Sequence, residues 1–338
     1  MSNSAINLYG DLNPEIAGTH ARRVLELAAP TIIAGQFGQM ETIPEHGTEL
    51  MNWTRYLSVD SEPTNLQLGE AVSASGKKLE AELIQMRLLQ YGDHMKLSEK
   101  QLRMGLKHVL DGAEKIMARQ AGELSEKVIL NAMKAGTSVY YANGTTRAGV
   151  NSVASTVTLN AVIEFLTKQN APRITKRMNP VNNYATEPVR SGFLVFIPPE
   201  LVAWARGSLT GFIDSRKYAT PSEFGAYEIG AWNDLRFITH SLLSRFSDLG
   251  ATGGTNVRQD TATSKALVYP IIVFGEDFFS QVALSGEFAI TPYYVAPKPQ
   301  VSDPEGQIGL VGWKTWRTAG ILNDMYGVRI ETAAPSNL

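Results

Sequence analysis

The residues able to do chemistry are few and scattered. Five histidines, His20, His46, His94, His108 and His240, are the candidates for metal binding or proton transfer. No two stand in a His-x-x-x-His spacing, which would put both on one helix face, so each reads as a surface or core residue. Cysteine is absent, which excludes disulfides and thiolate metal sites and fits a reducing compartment. Gly250-Ala-Thr-Gly-Gly254 is glycine-rich, but no Lys-Ser/Thr pair and no helix start follow it, so it reads as a plain loop rather than a phosphate cradle. No nucleophile elbow or zinc motif occurs. Glu276-Asp277 reads as the acidic opening of a helix. Trp313 and Trp316 alternate with smaller or polar residues and read as core or subunit-contact packing. No catalytic, cofactor-binding or metal-ligating residue is assigned, and the chain is read as a non-enzyme.

Whole-chain properties narrow the classes further. The 338 residues carry a formal net charge of −2, which excludes a generally basic nucleic-acid binder. Arg22 and Arg23 lie among Asp11, Glu15 and Glu26, so the N-terminus could not neutralise a bulk polyanion. The N-terminus has no basic flank followed by an apolar run, as a secretory signal would. No apolar run nears the roughly 18 residues of a membrane span, and no membrane partner is expected.

The element that must position the rest is Ser98 to Gly136. Apolar residues recur at helical spacing from Leu102 to Ala132, which predicts one long spanning helix. Ser98 and Gln101 form a capping box, and Gly136 is placed to end the helix in the left-handed conformation. Before it, residues 1–42 read as an arm with a short helix over His20–Ala29. Residues 43–97 read as two extended runs around a soft tip: Thr48–Leu57, then Leu79–Tyr91. The second has strong helix propensity but is assigned as a returning strand, because tertiary pairing can override propensity.

After the spanning helix, Thr158–Gln169 reads as a second helix, and 170–190 as an exposed polar loop. Phe193–Ile197 reads as a buried strand followed by a helix over Glu200–Gly207. Tyr269–Phe274 with Glu276–Leu284 repeats that strand-then-helix order, with a strand pair over Gly225–Phe237 between them. Three further strands, Phe288–Val295, Ile308–Arg317 and Gly327–Glu331, are expected to form an antiparallel sheet covered by the spanning helix. The fold class is α+β.

This order of elements resembles the major capsid proteins of tailed bacteriophages, which share the Hong Kong 97-type fold. More narrowly it resembles the branch represented by the coliphage N-four major capsid protein. The matching residues are Gly47, Trp53-Thr-Arg-Tyr56, Leu68-Gly-Glu70 and Gln90-Tyr-Gly92. The C-terminal matches are Gly312-Trp-Lys314, Gly320-Ile-Leu-Asn-Asp324 and Val328-Arg-Ile-Glu331. The resemblance implies an N-terminal arm (1–42), an extended loop (43–97), and a peripheral domain (98–150 and 286–338) built on a spine helix over 98–136. Residues 151–285 would be the axial domain.

It also implies a shell of hexamers and pentamers around double-stranded DNA that is contacted non-specifically. The partners would be a separate scaffolding protein, a portal and a decoration protein; the place would be the virion, after assembly in the host bacterial cytoplasm. Subunit contacts are expected at Trp53, Arg55, Tyr56, Glu70, Lys77 and Lys78. Two other classes fit the residues: an encapsulin-like nanocompartment shell, and a soluble α/β enzyme with a dispersed site.

Overall fold

Apolar runs without alternation need cover on both faces, and two such runs set the architecture. The computed structural model describes residues 33–44, 47–57, 78–104, 109–178, 186–217, 227–284, 290–299 and 304–336. In chain order these form β1 (Gln39–Ile43), β2 (Leu50–Tyr56), β3 (Ala81–Arg87) and β4 (Leu89–Ser98). Helices α1 (Glu99–Met104) and α2 (Val109–Lys134) follow. Then come β5 (Val139–Tyr141), α3 (Thr156–Lys168), β6 (Ile174–Met178), β7 (Thr186–Ile197) and α4 (Val202–Ser208). β8 (Ile213–Asp214), β9 (Glu228–Trp232), β10 (Leu235–Thr239), β11 (Leu249–Thr252) and β12 (Lys265–Phe274) continue the chain. β13 (Phe279–Leu284), β14 (Thr291–Val295), β15 (Ile308–Ile321) and β16 (Gly327–Ala333) complete it.

A nine-stranded sheet runs β5-β16-β12-β7-β10-β9-β8, with β11 added on β12 and β6 on β7. Its central strands are apolar on both faces because both are covered. Phe193, Val195 and Ile197 of β7, with Tyr269, Ile271 and Val273 of β12, pack on one side against α3 and α4 through Leu159, Val162, Leu166 and Trp204. The alternate residues Leu194, Phe196, Ile272 and Phe274 face Ile129, Leu130 and Met133 of α2. A five-stranded sheet holds β1, β13, β15, β14 and β4. Its Val311 and Trp313 pack on Ala113, Met117, Ala118 and Ala121, from the other half of α2. One helix, about 39 Å long at 1.5 Å per residue, thus serves both sheets with successive halves.

The structure alters several expectations. The stretch expected as one helix is α1 and α2, with 105–108 outside the described residues, and Ser98 closes β4. The capping box is present: the Ser98 N–H donates to Gln101 Oε1 at 3.4 Å, and the Gln101 N–H to Ser98 Oγ at 3.2 Å. Gly136 is not in the left-handed region. The helix end is capped from β16 instead, where the Arg329 guanidinium donates to the carbonyls of Lys134 and, at 3.2 Å, Gly136. A side chain on Gly136 would come within 3.1 Å of Asp324 Oδ1, so close approach explains the glycine.

The helix expected after Tyr269–Phe274 is strand β13. Its residues are buried on both faces, and Phe279 packs on Phe274 with centroids 5.7 Å apart, so tertiary pairing decides the conformation. Glu276 and Asp277 form the turn between the strands, with Asp277 at φ 62°. The expected loop at 170–190 contains β6 and the start of β7, paired antiparallel. β16, expected in the C-terminal sheet, lies in the nine-stranded one between β5 and β12, where Val328 and Ile330 are buried. β4, expected within the hairpin, pairs with β15 along 308–317. The two sheets therefore exchange strands along the chain. The helix expected over His20–Ala29 lies outside the described residues.

Candidate functional site

The β2–β3 hairpin stands apart as its own two-stranded sheet. Antiparallel register pairs Met51 with Met86, Trp53 with Ile84, and Arg55 with Glu82 on one face. That face packs inward: Met51, Trp53, Ile84 and Met86 join Ile43, Leu88 and Val282 in a small core. The other face carries Leu50, Thr54, Tyr56 and Leu83 away from it, and large apolar side chains there are solvent-facing. Tyr56 is 64% exposed, Leu83 56% and Leu50 41%, while Leu79 beside the hairpin is 65% exposed. A two-stranded sheet is marginal in water by itself, and this one leaves Leu50, Leu83 and Tyr56 exposed among Asn52, Thr54, Gln85 and Arg87.

Polar contacts fix the end of the ladder remote from β1 and β4. Arg55 pairs with Glu82 across the strands, and its Nη1 donates to Asn323 Oδ1 at 2.8 Å. The next residue, Asp324, accepts from the Thr137 N–H at 3.0 Å, just beyond α2. The turn after β15 thus ties the hairpin to the end of α2. Beside it lies an open cleft of about 500 Å³ lined by Trp53, Tyr56, Gln39, Asp277 and Tyr326 among others.

Near the middle of α2, Gln120 bridges two elements. Its amide donates to Asp93 Oδ2 of β4 at 2.6 Å, and its oxygen accepts from Trp313 Nε1 at 3.3 Å. The Gln120 bond, then the His94 backbone N–H, holds the Asp93 carboxyl below its ordinary value of 3.8. Near the C-terminal end of α2, burial and then the Arg329 charge lower the Lys134 ammonium. Hydrogen bonds to Glu331 raise the Arg147 guanidinium.

The residues singled out in the sequence separate. Tyr56 and Lys78 are exposed. Trp53 and Arg55 are half-buried and turned to their own chain. Glu70 and Lys77 lie outside the described residues. Leu50, Leu79 and Leu83 are not among those singled out; in 81–87 the adjacent apolar pair Leu83-Ile84 breaks period-two alternation and helix propensity is strong, so the sequence does not mark the outward leucine. Of the histidines, His94 is exposed and His240 is buried, while His20, His46 and His108 lie outside the described residues. Among the described residues no group of three or more His, Asp or Glu is placed to hold a metal ion. Gly250 and Gly254 admit close backbone approach, since added side chains would meet the carbonyl oxygens of Val150 at 2.0 Å and Asn151 at 2.6 Å.

The sequence matches no protein-family model and no curated protein. Solved structures do match. The capsid of Ralstonia phage GP4 aligns with TM-score 0.67 at 11% identity, covering 90% of this chain and 91% of that one. The chain has the fold of phage capsid proteins. The cyanophage Pam1 capsid aligns with TM-score 0.60 at 10% identity over 92% of this chain and 93% of that one. The head of Helicobacter pylori bacteriophage KHP40 aligns with TM-score 0.60 at 9% identity over 89% and 88%. No helix among the described residues is long and apolar enough to cross a membrane.

Proposed function

We propose that this chain is a major capsid protein that closes into the icosahedral shell of a tailed, double-stranded DNA phage. The observation that carries this reading is the hairpin: a capsid fold whose two-stranded limb leaves Leu50, Leu83 and Tyr56 exposed on its outer face in a single copy. A second copy supplies the cover, and the protein has a structural rather than a catalytic role. Heterologous contacts of this kind close into rings, here the hexamers and pentamers of the shell. In the Hong Kong 97-type scheme, residues 1–42 are the arm, 43–97 the extended loop, 98–150 with 286–338 the peripheral domain, and 151–285 the axial domain. Within that scheme the Trp53–Tyr56 and Gly320–Asp324 motifs favour the N-four branch.

Tyr56 and Lys78, with Leu50, Leu79 and Leu83, are the contacts offered to the neighbour, and Trp53 and Arg55 set the angle of the limb. Glu70 and Lys77 belong to the same loop. Location in the virion, assembly in the host cytoplasm, and partnership with scaffold, portal, decoration protein and packaged DNA follow from this role. The low net charge suits a shell filled after assembly rather than one condensed around DNA by charge. Electron microscopy of the chain expressed with and without candidate scaffolding proteins tests the reading. Closed shells with five- and six-subunit rings are expected; a monodisperse monomer under every condition overturns it.

A further inference from the structure

A buried carboxylate holds the first described residues to α2. Glu126 and His240 are both 0% exposed. Glu126 Oε2 accepts from the Ala34 N–H at 2.8 Å and lies 2.7 Å from His240 Nε2, while Oε1 accepts from the Gly35 N–H at 3.1 Å. The Leu242 N–H donates to His240 Nδ1 at 3.2 Å, which leaves the ring proton on Nε2, pointing at Glu126. Three donors thus converge on one side chain. An ionised carboxylate is acceptor-only and suits all three; an amide would turn its NH₂ on one of them. Nothing in the packing of an apolar helix face calls for such a group.

The contacts around it are layered. The Gly35 carbonyl accepts from Gln281 Nε2 at 2.8 Å, and β1 then pairs in parallel with β13 from Gln39 to Ile43. Strand pairing therefore secures 39–43 without Glu126, whereas the 3₁₀ turn over Ala34–Gln36 has its own two backbone bonds, the packing of Ile33 and Ala34, and the two N–H groups held by Glu126.

We propose that Glu126 is a latch that fixes the turn at 33–37 to α2, and that neutralising it opens that turn while the body and β1 stay folded. Any use of the latch in assembly rests on the shell reading; the latch itself does not.

The test is amide hydrogen exchange on the unassembled full-length chain, comparing wild type, Glu126→Gln and the milder Glu126→Asp, which stays acceptor-only but withdraws by one methylene. Ala34 and Gly35 should exchange on the order of tenfold or more faster in Glu126→Gln, because its NH₂ must face one of the converging donors and the turn they share gives way, and faster to a lesser degree in Glu126→Asp. Amides of β12 should keep wild-type rates in both. Unchanged exchange at 34 and 35, or loss of protection throughout the body in both variants, overturns the latch. Shell formation is scored separately, so a chain that never assembles contradicts the shell reading and leaves the exchange result to stand.

Discussion

Arg55 on the hairpin and Asn323 after β15 are 268 positions apart in sequence, yet their side chains meet at 2.8 Å. Glu82 holds the same guanidinium from the opposite strand. The far end of the hairpin ladder is therefore pinned to the turn after β15, where Asp324 also ties that turn to the end of α2.

Removing that anchor should loosen the limb more than the body. Arg55→Ala loses a cross-strand ion pair and one hydrogen bond, both partly solvated, together worth about 1 kcal/mol. Amide exchange in 50–56 and 81–87 should rise while β7 and β12 keep their rates. Equal rates in the hairpin would show that apolar packing of Trp53 and Met86 holds it alone.

Leu83→Glu should separate folding from assembly. The side chain is 56% exposed, so the isolated chain should keep its stability within about 0.5 kcal/mol. Placed against a neighbour, the carboxylate would be buried unpaired, and shell yield should fall by roughly tenfold or more. Thermal denaturation and size-exclusion chromatography measure the two effects.

Trp313→Ala should do the reverse and damage the fold. Trp313 is 2% exposed against the first half of α2, and its truncation leaves a cavity costing about 3–5 kcal/mol. Urea denaturation of the unassembled chain measures it.

The Asp93–Gln120–Trp313 chain gives an acid-side prediction. The Asp93 carboxyl is held below its ordinary value of 3.8 in the folded state, so its contribution is complete above that value. It is lost as pH falls further, through the folded-state value, when the proton displaces the Gln120 bond. A change in Trp313 fluorescence should appear in wild type below pH 3.8 and be absent in Asp93→Asn and in Trp313→Phe.

Local signals carried part of this fold. The unbroken run Phe193–Ile197, the strand pair β9–β10, helix α3 and the Ser98–Gln101 box could all be read from neighbouring residues, because each is set by spacing or capping. Strand β13 could not: Phe-Ser-Gln-Val-Ala-Leu is buried on both faces and shows no period, and only its partners β1 and β15 make it extended. The sheet that β16 joins is likewise a long-range choice.

In the candidate site, Trp53, Arg55 and Tyr56 are neighbours in sequence. Strand geometry sends Trp53 and Arg55 to one face of the hairpin and Tyr56 to the other, although all three line the cleft at its end. Glu126 and His240 lie 114 positions apart and left no mark in the sequence.

The central claim is that the outer face of the hairpin is completed by another copy. A cryo-electron microscopy reconstruction of the assembled particle tests it most directly. The account predicts a closed shell in which Leu83 and Tyr56 are buried against a neighbouring subunit. A closed particle in which both side chains face solvent would contradict it.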